Sequence, residues 1–85
     1  MKHRQRQHED LVGFLNTVAR PGFQVDGVDD YTNLIDAGII DSFALIQVIL
    51  YLEQEYDLRL QALGIDPVDL GTIDGILAAI ARSSE

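Results

Sequence analysis

One hydroxyl in this chain stands where phosphoryl chemistry is possible. Ser42 lies in the triplet Asp41-Ser42-Phe43, where a long connecting segment meets the most apolar stretch of the sequence. A helix starting there would turn its free N–H groups and its positive dipole end towards Ser42, and both stabilise a negative phosphate. The serine would be at the surface, on a rigid element, within reach of a modifying enzyme. The same residues have a plainer use, because Asp and Ser lead the ranking of helix N-caps. Other chemistry is scarce. With no cysteine the chain can form no disulfide, zinc thiolate or thiol nucleophile. His3 and His8 sit in a polar N-terminal stretch at a spacing of five, which does not stack them on one helix face. They are expected to be solvent-exposed and to bind no metal. The carboxylates are scattered and no Ser-His pattern occurs, so the chain is not expected to be an enzyme.

The elements that must position Ser42 are read from periodicity and turn signals. Leu11, Phe14, Leu15 and Val18 recur at three- and four-residue spacings, one apolar stripe of a helix running to Arg20. Pro21-Gly22 ends it, since proline cannot continue the hydrogen-bond ladder. Residues 22–41 form a long connection studded with Phe23, Val25, Val28, Leu34, Ile35, Ile39 and Ile40. Loops of such length tend to be functional, and these apolar residues imply that it is pinned across the core.

From Phe43 to Leu52 only Gln47 is not apolar. Periodicity cannot separate a buried strand from a buried helix here, and the Ile, Val and Tyr content leans towards strand. Length, the Asp-Ser start and the uninterrupted Glu53-Gln54-Glu55 continuation favour a helix to Tyr56 or Asp57. The chain then turns through Asp57 to Gly64. Asp66-Pro67 reads as an N-cap with proline at the first helical position, opening a single turn to Leu70. Thr72 can cap a last helix with Ile73, Ile76, Leu77 and Ile80 inside and Asp74 near its positive end. The expected fold is all-α, a small four-helix bundle of three main helices and one short one.

The chain's 85 residues make one domain, with residues 1–8 a basic, frayed extension. The net charge is −8, and from Glu9 onward only Arg20, Arg59 and Arg82 oppose fourteen acids, a net of −11. Such a surface repels phosphate backbones and anionic lipid, so nucleic-acid and membrane binding are disfavoured. No apolar run approaches the roughly 20 residues of a membrane span, and the start lacks the pattern of a signal peptide. A cytoplasmic monomer is expected.

Residues 34–57, LIDAGIIDSFALIQVILYLEQEYD, resemble the modification-site region of acyl and peptidyl carrier proteins. In that family an Asp-Ser-Leu or Asp-Ser-Phe motif opens the second helix. The helix closes with Leu-Glu-x-Glu, an aromatic residue and Asp, matched by Leu52, Glu53, Glu55, Tyr56 and Asp57. The similarity extends over the order of elements along the whole chain. It implies an acyl-carrier-like bundle in which Ser42 accepts 4'-phosphopantetheine from coenzyme A, through a separate magnesium-dependent transferase, with Asp41 supporting the transfer. The arm's thiol would hold a cargo as a thioester between an adenylating ligase and an acyl or aminoacyl transferase. Gly38-Ile39-Ile40-Asp41-Ser42-Phe43 is closer to the Gly-x-x-Asp-Ser-Phe form of D-alanyl and other free-standing aminoacyl carriers than to the Gly-Gly-Asp-Ser of modular peptide synthetases. Residues 65–72 also resemble the third-helix segment of that subgroup. A fatty-acid or polyketide carrier is the alternative within the family. An unmodified helical adaptor is the alternative outside it.

Fatty-acid carriers present acidic residues along their second helix. Here the expected outer face, Ala44, Gln47, Val48 and Tyr51, lacks charge, so partners reading it, with Phe43 beside the attachment point, would rely on apolar contact. The opposing possibility is that Val48 and Tyr51 pack against the long loop. The expected core is Leu11, Leu15, Val18, Phe43, Ile46, Leu50, Ile76 and Ile80, with Ile39 and Ile40 anchoring the loop beside Ser42.

Overall fold

Local capping chemistry sets most of the element boundaries. The structure, a computed structural model, describes residues 2–83, with side chains described for residues 5–82. Helix α1 spans Lys2–Val18 and α2 spans Ser42–Tyr56; the short α3 is Leu60–Leu63 and α4 is Ile73–Ser83. A 3-10 turn, Pro67–Gly71, joins α3 to α4. No strand occurs among the described residues, so the fold is all-α.

Asp41 has extended backbone and its carboxylate accepts the N–H of Ala44 at 2.8 Å, so α2 begins at Ser42. The β-branched content of α2 does not decide its state, because tertiary burial outweighs a weak propensity. The helix stops at Asp57, which is left-handed at φ 51° and donates its N–H to the Leu52 carbonyl. Asp66 caps the 3-10 turn by accepting from Val68 N at 3.0 Å, and the Thr72 hydroxyl accepts from Gly75 N at 2.9 Å to cap α4. The segment expected to be a turn up to Gly64 contains α3, too short to show a period. It is held by the buried Leu58 and Leu60. Residues 2–8 continue α1 instead of forming a separate extension, and Met1 lies outside the described residues.

The long loop is pinned, as its apolar residues imply. Val25, Leu34, Ile39 and Ile40 are buried in one cluster with Leu11 and Leu15 of α1, Ala44, Val48 and Leu52 of α2, and Ile73, Ile76, Leu77 and Ile80 of α4. Backbone bonds tie it down at both ends. Arg20 N donates to Ile39 O at 2.8 Å, Leu34 N to Gly71 O at 2.8 Å, and Asp74 N to Asp30 O at 2.9 Å. Asn16 of α1 accepts from Val25 N and donates to Asp26. His8 is half-buried, not free in solvent, and its Nε2 lies 2.9 Å from Asp30 Oδ1. The side chain of His3 lies outside the described residues.

The rotation of α2 differs from expectation. Phe43, Ile46 and Leu50, expected in the core, are 66%, 54% and 49% exposed. Ala44 and Val48, expected outside, are buried; Gln47 and Tyr51 are half-buried. Val18 is also only half-buried. From Phe43 to Leu52 the helix is apolar all round and carries no stripe to define its inner side, and the one polar residue in that stretch, Gln47, is itself half-buried. The packed side instead takes the small Ala44 and Val48, where α1, α4 and the 3-10 turn converge on α2.

Candidate functional site

Ser42 is the first residue of the fifteen-residue α2 and is exposed. Its hydroxyl has no hydrogen-bond partner among the described residues. Asp41, not Ser42, does the capping, so the plainer use of the serine is taken by its neighbour. The first N–H groups of a helix have no partner within it, and those of α2 that Asp41 leaves over lie beside the serine.

The loop delivers this dipeptide through a tight turn. Gly38 has φ 77°, a region costly for a residue with a Cβ, and its N–H donates to Ile35 O at 3.0 Å. Leu34 O then accepts from both Ile39 N at 2.9 Å and Ile40 N at 3.2 Å. The two isoleucines are thereby buried and the next two residues emerge into solvent. Asn33 braces the turn by accepting from Ile35 N and Asp36 N.

Two features around Ser42 were not legible in the sequence. The exposed Phe43, Ile46 and Leu50 form a stripe at spacings of three and four running away from the serine, in place of the face expected at Ala44, Gln47, Val48 and Tyr51. A groove of about 540 Å³ opens between α2 and α3, walled by Ile49, Leu60, Ile65 and Pro67 with Glu53 and Arg59 at its rim. At 100° per residue, Ile49 and Glu53 share the face of Ser42, and Ile49 lies roughly 10 Å further along the axis.

Tyr51 turns inward. Its ring stacks on Phe14 at 4.2 Å between centroids and meets Tyr56 edge-on at 6.1 Å. Burial, with the neighbouring Tyr56 and the carboxylates of Asp10 and Glu55, pushes its phenol well above the usual tyrosine range.

No group of three or more metal-binding side chains occurs among the described residues, and no described helix is long and apolar enough to cross a membrane. No family model, curated protein or solved structure matches the chain.

Proposed function

We propose that this chain is a discrete carrier protein that bears 4'-phosphopantetheine on Ser42 and presents an acyl or aminoacyl cargo to partner enzymes. The observation that carries the proposal is the exposed, unpartnered hydroxyl of Ser42 at the start of α2, within a sequence that resembles the carrier-protein motif. The residues present suit the group. Since Asp41 supplies the cap, esterifying Ser42 costs the helix no hydrogen bond, and the helix start favours the phosphate's charge.

In the attachment step Ser42 Oγ attacks the phosphorus of coenzyme A that bears the pantetheine. The bond to the adenosine half breaks, adenosine 3',5'-bisphosphate leaves, and the hydroxyl proton passes to a base of the transferase. The group supplies, when bound, the thiol that a cysteine-free chain lacks, and the cargo is held there as a thioester. The protein's own contribution is placement. The buried Ile39 and Ile40 hold the attachment point still, the stripe of Phe43, Ile46 and Leu50 offers partners an apolar surface beside it, and the α2–α3 groove gives a cargo room. The four-helix arrangement is then that of an acyl-carrier-like bundle, and the protein itself is a carrier, not a catalyst. The resemblance of Gly38 to Phe43 to free-standing aminoacyl carriers favours an aminoacyl cargo, loaded by an adenylating ligase.

Incubation with coenzyme A, magnesium and a broad-specificity phosphopantetheinyl transferase, followed by intact-mass measurement, tests the proposal. One phosphopantetheinyl mass should be gained by the parent chain and none by Ser42→Ala. A folded parent chain that gains no mass would end the reading.

The exposed stripe on α2 supports a second reading, an unmodified adaptor that binds partners through Phe43, Ile46 and Leu50. On that reading Ser42→Ala keeps function and Ile46→Glu loses it.

A further inference from the structure

We infer that Arg20 is the cation that holds the phosphodiester on Ser42; the inference rests on the carrier reading above. The two residues are 22 positions apart in sequence, and the fold joins Arg20 to the end of the loop that leads into Ser42. The backbone N–H of Arg20 donates to the carbonyl of Ile39 at 2.8 Å, three residues before Ser42. Three residues span at most about 10 Å, a gap that an extended arginine and a phosphate cover together. Helix packing gives the same placement. Phe14, six residues before Arg20, stacks on Tyr51, nine residues after Ser42. With Arg20 bonded to the loop end that leads into α2, this contact has the two helices running antiparallel, the end of α1 towards the start of α2.

The charge distribution explains why a cation is needed here. A phosphodiester adds negative charge to a chain already at −8, beside the exposed carboxylates of Asp36 and Asp41. Of the three cations after Glu9, Arg82 donates to the Leu63 carbonyl and Arg59 stands at the α2–α3 groove. Arg20 is the one at this end. It is exposed, and its guanidinium has no hydrogen-bond or ion-pair partner among the described residues. It also follows the C-terminus of α1, where the helix dipole favours positive charge. A guanidinium with its fork of donors unused is suited to two phosphate oxygens at once.

The experiment compares the parent chain with Arg20→Gln, Arg20→Lys and, as a distant control on α1, Arg6→Gln. Intact mass is followed over time with coenzyme A and a phosphopantetheinyl transferase. The Arg20 guanidinium N–H signals of the parent chain are recorded by NMR before and after modification. The expected result is a shift of the Arg20 signals on modification and a loss of modification rate of about three- to fivefold in Arg20→Gln, the size of an exposed ion pair. Arg20→Lys should recover part of the rate and Arg6→Gln all of it. If the parent chain gains the mass while its Arg20 signals stay put, the role of Arg20 is overturned and the carrier reading stands; a slowed Arg20→Gln would then report contact with the transferase. If the parent chain gains no mass, the carrier reading falls and this inference with it.

Discussion

The ring of Tyr51 lies flat against Phe14, with centroids 4.2 Å and planes 14° apart, and so joins the middle of α2 to α1. Because its phenol is held above the ordinary value near 10, the folded state keeps a proton that the unfolded state releases. Stability due to this group is whole below about pH 10 and declines as pH rises towards the folded-state value. Tyr51→Phe keeps the stack and abolishes that decline. Denaturant midpoints of the two proteins across the alkaline range should diverge only above about pH 10; parallel curves would sink the assignment.

Asp41 does the capping and Ser42 is the proposed attachment point, so the two roles can be separated. Ser42→Ala should leave stability within about 0.5 kcal/mol of the parent while abolishing the mass gain. Asp41→Ala removes the cap on Ala44 N and should cost about 1 kcal/mol, with Ser42 still modifiable at a reduced rate. Urea unfolding read beside intact mass distinguishes the two effects.

The rotation of α2 makes opposite predictions for neighbouring residues. Ile46→Glu and Leu50→Glu place a charge in solvent, so the fold should persist while, on the carrier proposal, transfer to and from partner enzymes falls. Val48→Glu places an unpaired charge in a fully buried position and should prevent folding. Circular dichroism of the three variants decides the matter, and a folded Val48→Glu would refute this orientation.

Gly75 lies where α4 crosses the 3-10 turn, and an alanine Cβ there would overlap the carbonyl oxygen of Asp69. Gly75→Ala is expected to cost roughly 1–3 kcal/mol, the range for forcing volume into a packed contact. Gly13→Ala in α1 meets no such neighbour and should stabilise by up to about 1 kcal/mol. Thermal melts of the pair should move in opposite directions.

Fourteen acids on so small a chain repel one another across its surface. Added salt or magnesium should raise the melting temperature. A melt unmoved by either would show that this repulsion contributes little.

The elements that were legible in the sequence are those with local causes. Asp41 capping α2, Asp66-Pro67 opening a short turn and Thr72 capping α4 each act over about three residues, so the chain alone announces them. The pinned loop was legible too, because Ile39, Ile40, Leu34 and Val25 are too apolar to be left in water. Which side of α2 faces inward had no local cause. With apolar residues all round the helix, only the approach of α1, α4 and the 3-10 turn selects Ala44, Val48 and Leu52 and leaves Phe43, Ile46 and Leu50 in solvent. The bond from Arg20 to the loop end that leads into Ser42 was hidden for a related reason. It depends on an antiparallel pairing of helices joined by a long loop, and a contact across that distance exists only once the chain has closed on itself.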